Sequence, residues 1–468
     1  MAVLIKNIGL IATQDDAERE LRNAWILIDG PAIADLGEGE PPARDDITET
    51  VDAKGALAIP GMVNTHHHLY QTFQKNVPFV QDAKLFDWLQ GLYEIWRELT
   101  PEDVRVSAQV GLGELLLSGC TTVADHFYVF PKQQTACLLD ETIEAAREMG
   151  VRFHPTRGSM SRGKSKGGLP PDDVVQTPDE ILKDSERVVA KFHDPSRYSM
   201  CRLALAPCSP FSVTDDLLLE SARLARKLGV RLHTHLAETE DENDFCRQVV
   251  GKRPLEYMAS LEWIGPDVWY AHGVWLNDDE LKLMAETGTG IAHCPCSNLR
   301  LGSGIAPIPR AVELGVPVGL AVDGSASNDA SDMLRELQLC TIVHRVKSGV
   351  ESMPARKALK IATRGGARVL GRDDIGQLAK GMAADIVLFK MDDIGLAGAM
   401  HDPVAALAFT TGMKRADKVM VNGRWVVSDG RLLHLDEEAC FHEANRLARA
   451  MIERAHKRTG IEFLKHTV

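Results

Sequence analysis

Apolar positions along the chain fall into two textures. Before residue 57 they come as short alternating runs, Val3–Asn7, Trp25–Asp29 and Ile33–Leu36, with Pro41-Pro42 and Asp45-Asp46 behind them. Alternation of period two, punctuated by Gly, Asp and Pro, predicts a small antiparallel sheet. The same texture returns in Gln377–Phe389 and Lys418–Val427. Two β-rich segments so far apart most simply build one sandwich-like domain, interrupted by whatever lies between them. Residues 1–57 and 373–468 are its expected parts. Asp436–Lys457, with helical apolar spacing and many charges, is expected to be a surface helix.

Residues 58–372 follow a different rhythm. Short apolar runs at Ala58–Asn64, Thr121–Asp125, Val151–Thr156, Arg202–Ala206, Val230–Leu236, Val268–His272, Gly290–Cys294 and Pro317–Asp323 read as buried parallel strands. Segments of helical periodicity separate most of them, among them Pro101–Ser118, Asp140–Met149, Asp215–Leu228 and Asp278–Thr287. Eight such units predict an α/β chain whose centre is a closed (β/α)₈ TIM barrel, with its chemistry at the C-terminal ends of the strands. An open doubly wound sheet is the alternative, but no G-x-G-x-x-G fingerprint accompanies it.

Composition narrows the function. With 44% apolar and 25% charged residues over 468 positions, the chain is ordinary globular material. Its formal charge is −13 and no run of basic residues offsets it, so nucleic acid is not an expected partner. Nine scattered cysteines read as reduced thiols. The opening Met1–Asn7 run is too short for a signal peptide, and no uncharged stretch approaches the ~18 residues of a membrane span. A soluble, cytoplasmic chain without membrane partners is expected.

The predicted strand ends carry polar residues that a core would not choose. Thr65-His66-His67-His68 follows the first run, and alternation puts His66 and His68 on one face with His67 turned away. The fifth run ends His233-Thr-His235-Leu-Ala-Glu238. His233 shares the face of His235 and competes with it as a ligand; His235 is preferred because it is nearer the strand end and Glu238. The sixth run ends at His272 and the eighth at Asp323, a carboxylate costly to bury unless paired or metal-bound. In a barrel, three histidines and one aspartate from strands one, five and eight meet at one mouth. That set suits a zinc- or iron-like divalent ion with room for a water, whose pKa falls to ~7. A second ion would usually need a further bridging ligand, such as a modified lysine on strand four, and Cys201–Pro210 has none. One ion is expected.

Pro60–His68, His235-Leu-Ala-Glu238, His272, His293-Cys-Pro-Cys-Ser-Asn298 and Val322-Asp-Gly-Ser325 together resemble the amidohydrolase superfamily, and within it the cytosine deaminase/chlorohydrolase-like branch. The resemblance covers nearly the whole chain. It implies a distorted (β/α)₈ barrel with one zinc or iron ion held by His66, His68, His235 and Asp323. Glu238 and His272 are the implied catalytic partners, with Asp323 sharing in proton transfer. In the implied reaction Glu238 protonates a ring nitrogen, Asp323 takes a proton from the attacking water, and His272 stabilises the tetrahedral charge.

His68–Thr72, Arg157–Ser161, Gly168–Asp172 and Ala206–Phe211 bring the likeness nearest to deaminases of 8-oxoguanine, with s-triazine hydrolysis and other nucleobase or nucleoside deamination as alternatives. Cys208 stands where guanine deaminases carry an arginine, and Glu98 does not align cleanly with the ribose-holding glutamate of nucleoside-acting relatives. A free, purine-like heterocycle is therefore the expected small-molecule substrate, with Gln71 and Arg157 gripping its amide edges. Family habit implies a homo-oligomer.

Two motifs point elsewhere and are set aside. Gly158–Ser165 fits G-x-x-x-x-G-K-[ST], but Gly167-Gly-Leu-Pro-Pro171 follows, and a phosphate cradle needs a helix there. Cys294-Pro-Cys296 lacks the H-x-E and C-x-x-C partners of the other zinc deaminases.

Overall fold

The computed structural model describes residues 2–134, 137–410 and 415–466. Strands β1 (Ala2–Ala12), β2 (Glu20–Asp29), β3 (Ala32–Glu38), β4 (Ile47–Asp52) and β5 (Leu57–Pro60) open the chain. The barrel strands follow: β6 (Met62–Asn64), β7 (Cys120–Phe127), β8 (Arg152–Ser159), β9 (Ala204–Pro207), β10 (Arg231–Leu236), β11 (Val268–His272), β12 (Gly290–His293) and β13 (Val318–Leu320). Last come β14 (Ile386–Phe389), β15 (Lys418–Val421), β16 (Arg424–Ser428) and β17 (Arg431–Leu432).

Strands β6 to β13 pair in sequence order, all parallel, as an eight-stranded sheet. Its two edges meet. The Thr65 N–H and hydroxyl both donate to the Leu320 carbonyl, at 3.1 and 3.0 Å, and the Asp323 N–H donates to the His66 carbonyl at 3.1 Å. That seam closes the barrel and places His66 beside Asp323. β7 and β8 are buried along their whole length, as expected of strands enclosed on both faces. Trp269 fills the barrel interior among small neighbours, Ala124, Ala204, Ala292 and Ala321.

The remaining strands form a nine-stranded sheet from both ends of the chain. It encloses its own core, in which Ile5, Ile26, Ile28 and Ile33 meet Ile386, Leu388 and Met420. The sheet is mixed rather than antiparallel: β4 and β5 both run parallel to β1. The run expected as one barrel strand over Ala58–Asn64 is divided at Gly61. Its first half, β5, belongs to this sheet, and only Met62–Asn64 enters the barrel. A side chain at Gly61 would drive into Thr121, so the backbone can pass that close only as glycine. The C-terminal helix spans Glu437–Thr459 and lays Leu447, Met451 and Ala455 onto the core.

A buried ion pair ties the two sheets together. Arg152, at the start of β8, donates to both oxygens of Asp385 at 3.0 and 3.1 Å, and Asp385 also accepts the Asn422 N–H at 2.7 Å. Asp385→Ala takes the paired carboxylate from that guanidinium in a dry interface, leaving it the Tyr198 and Ser199 carbonyls and Asn422 Oδ1, and a loss of about 3 kcal/mol in unfolding free energy is expected. Denaturant titration checks it; an unchanged midpoint would mean that the pair carries no load.

Candidate active site

Imidazoles crowd the mouth of the barrel, and their hydrogen bonds fix how each one faces. The Trp269 carbonyl can only accept, so His233 donates to it from Nδ1 at 2.9 Å. Burial pushes His233 down to about 3, which keeps it neutral with a bare Nε2. That Nε2 lies 2.7 Å from His66 Nδ1, which must therefore carry the hydrogen, leaving His66 Nε2 as a lone pair. His68 donates from Nδ1 to the His126 carbonyl at 2.7 Å, and His235 from Nδ1 to the Cys208 carbonyl at 2.5 Å. As neutral rings, the three imidazoles thus turn a bare Nε2 inward.

These lone pairs converge. His68 Nε2 and His235 Nε2 are 3.1 Å apart, and Asp323 Oδ1 lies 3.3 Å from the Nε2 of both His66 and His68. His66 Nε2 is buried without a hydrogen-bond partner. Acceptors gathered at this distance with no donor among them are unfavourable unless a cation joins them. The nitrogen and oxygen donors, each oriented by a second hydrogen bond, fit a divalent metal ion. Asp323 Oδ2 accepts the hydroxyls of Ser297 at 2.6 Å and Ser327 at 3.2 Å.

Beside this cluster lies a cleft of about 430 Å³, open mouth included. Gln71, Glu238 and His272 line it together with His68, His235 and Asp323, and Trp88 and Phe211 supply apolar wall. His272 donates from Nδ1 to Asn298 Oδ1 at 2.9 Å, and its Nε2 is 3.5 Å from Glu238 Oε2. Burial, with the neighbouring charge of Asp323 second, pushes the Glu238 carboxyl up to about 8. Ala237, His272 and Asp323 all adopt positive φ, at +51°, +76° and +64°, a left-handed backbone at the strand ends that carry side chains into the cleft. Gln71 Oε1 is buried with no partner, and its amide lies against Gly324, where any side chain would collide with it.

Arg157 is placed elsewhere, contrary to expectation. Its guanidinium donates to Asp184 Oδ2 at 2.7 Å, Gln176 Oε1 at 2.9 Å and the Gly158 carbonyl at 2.5 Å, and it packs over Phe130. It does not line the cleft. It is a buried strut, not a substrate grip. His67 turns away from the His66, His68 and His235 cluster as alternation requires, 2.9 Å from the Ser331 hydroxyl.

Two residues at the mouth went unread in the sequence. His126, at the end of β7, stacks on His235 and donates from Nε2 to the Ala206 carbonyl at 2.8 Å. Glu242 supports the turn that carries Glu238. Ala124-Asp-His126 closing an apolar run was a readable signal for the first; Glu242 offered none beyond its charge.

Comparison with known proteins agrees with this geometry. A sequence model of the amidohydrolase family matches residues 57–426. An 8-oxoguanine deaminase of Pseudomonas aeruginosa is 47% identical over 427 residues, 91% of this chain and 94% of that protein. A hydroxydechloroatrazine ethylaminohydrolase of Pseudomonas sp. (strain ADP) is 35% identical over 454 residues, 94% of each. Among solved structures, the zinc complex of an atrazine chlorohydrolase from Arthrobacter aurescens superposes with a TM-score of 0.91 at 36% identity, covering 95% of this chain and 100% of that one. By its profile, its barrel and its relatives, the chain belongs to the amidohydrolase family.

Proposed function

We propose that this protein is a zinc-dependent hydrolytic deaminase of a purine-like free base, converting 8-oxoguanine and water to urate and ammonia. The observation that carries the reading is a buried carboxyl, Glu238, which lines one narrow cleft together with His68, His235, His272 and Asp323. The choice of ring leans on the 47% identity to a deaminase of that substrate. Among the described residues no lysine or arginine lines the cleft, which favours an uncharged flat ring over a phosphorylated one.

In this reading His66, His68, His235 and Asp323 hold the ion. When bound, the ion supplies acidified water as nucleophile at neutral pH. Glu238 gives its proton to the ring nitrogen beside the carbon under attack, making that carbon electrophilic, and takes one back from the added hydroxyl as the amine departs. Asp323, held by the Ser297 and Ser327 hydroxyls, takes a proton from the attacking water and returns it to the departing amine. His272, anchored by Asn298, stabilises the charge on the tetrahedral centre. Gln71 reads an amide edge of the ring. The enzyme works in the cytoplasm as a homo-oligomer; no helix among the described residues is long and apolar enough to cross a membrane.

Ammonia release measured across 8-oxoguanine, isoguanine, guanine, cytosine and aminotriazines tests the substrate. 8-Oxoguanine should give the highest kcat/KM. Chloride or alkylamine released from a substituted triazine would instead favour the second reading, which the 35% identity to the ethylaminohydrolase keeps open. Gln71→Ala should raise KM for the preferred base about 3- to 10-fold, the worth of one hydrogen bond, with kcat nearly unchanged. Steady-state kinetics decide, and an unaltered KM removes Gln71 from substrate recognition.

A further inference from the structure

Strand β10 ends at Leu236, and the chain turns through Ala237 and Glu238 into the helix Glu240–Val250. Ala237 has φ +51°, a left-handed conformation that a residue with a β-carbon adopts only at a cost. The turn therefore needs an anchor. Glu242, buried on the first turn of the helix, provides one: its Oε1 accepts the Ala237 N–H at 2.9 Å and its Oε2 accepts the Glu238 N–H at 3.1 Å.

Glu242 is the third residue of its helix, where an acidic side chain ordinarily folds back onto the amide of the N-cap residue. Three other helices among the described residues do that, with Asp103 on Thr100, Glu180 on Thr177 and Glu280 on Asn277. Here the carboxylate bypasses Thr239 and reaches past it to the strand end. Thr239 caps nothing with its side chain, and its hydroxyl is buried without a partner. The helix forgoes a stabilising cap so that two amides of the preceding turn are held instead. Little else aims Glu238, since His272 Nε2 at 3.5 Å is longer than a good hydrogen bond.

We propose that Glu242 is a positioning residue for Glu238, clamping both amides of the left-handed turn so that the Glu238 carboxyl is presented to the substrate. The proposal rests on the reading of Glu238 as the proton donor, and a double-mutant cycle separates the two. Glu242→Gln keeps one acceptor oxygen and turns an N–H toward the other amide. It should lower kcat roughly 10- to 100-fold, as misplacing a catalytic group does, with KM within about twofold of wild type. Metal content should stay at the wild-type value. In a Glu238→Gln background the same substitution should leave the residual rate unchanged, because nothing remains to be aimed. Glu242→Asp, with both acceptors on a shorter arm, should show the same pattern with a smaller loss, and it serves if the glutamine variant does not accumulate.

Equal losses in the two backgrounds would overturn the proposal, by showing that Glu242 acts through the metal cluster or the fold. So would a Glu242→Gln enzyme with normal kcat. Should Glu238→Gln itself turn over at the wild-type rate, the proton-donor reading falls and the proposal falls with it.

Discussion

Glu238→Gln is expected to cut kcat by about 10²–10⁴-fold, the contribution of a well-placed general acid, while metal content stays unchanged. The substitution preserves size and takes away the transferable proton. Glu238 is buried at the cleft wall, and burial first and the charge of Asp323 second raise its carboxyl to about 8. Below that value the group holds its proton, so wild-type activity should fall as pH rises through it. A cation seated beside the carboxyl favours the ionised form and moves this alkaline limb to lower pH. The variant's residual rate should lack the limb altogether, since glutamine does not titrate. Ammonia release against pH, with elemental analysis of both proteins, checks the two halves together. Near-normal turnover in the variant would remove Glu238 from the chemistry.

Much of this site was legible because a barrel converts sequence spacing into geometry. Apolar runs placed eight strands, and polar residues closing those runs, His66, His68, His235, His272 and Asp323, had to arrive at one mouth. Alternation also settled that His67 faces away. It did not name partners. Arg157 closes an apolar run just as His235 does, yet its guanidinium finds Asp184 instead of the cleft. His233 shares a face with His235 and orients His66 through Nε2. Strand periodicity assigns a side, and whether a side chain there meets a ligand, a neighbour or a carbonyl depends on packing between distant elements. The division at Gly61 was hidden for a related reason. Leu57–Pro60 and Met62–Asn64 are equally buried, and only the close approach of Thr121 marks where one sheet ends and the other begins. β4 escaped notice because Ile47–Asp52 is largely exposed and polar, with little alternation to read.

Removing the metal should silence the enzyme and also weaken the fold, and the second effect follows from the same geometry as the first. Without a cation, the Nε2 lone pairs of the neutral His66, His68 and His235 face one another and the Asp323 carboxylate at 3.1–3.3 Å with no hydrogen between them. Their Nδ1 hydrogens are committed to His233, the His126 carbonyl and the Cys208 carbonyl, so turning a ring to relieve the clash breaks a buried hydrogen bond. The apo protein therefore either takes up protons, which burial opposes at His66 and His235, or loosens the strand ends. A ligand present at about 1,000 times its Kd stabilises the folded state by roughly 4 kcal/mol, so a fall in melting temperature of several degrees is expected on chelation. Zinc or iron(II) added back should restore both the activity and the melting temperature, and magnesium should restore neither, because it disfavours imidazole ligands. His235→Ala should reproduce the chelated state and resist rescue by added zinc. A metal-free preparation that keeps its rate and its melting temperature would show that these imidazoles meet for some other reason.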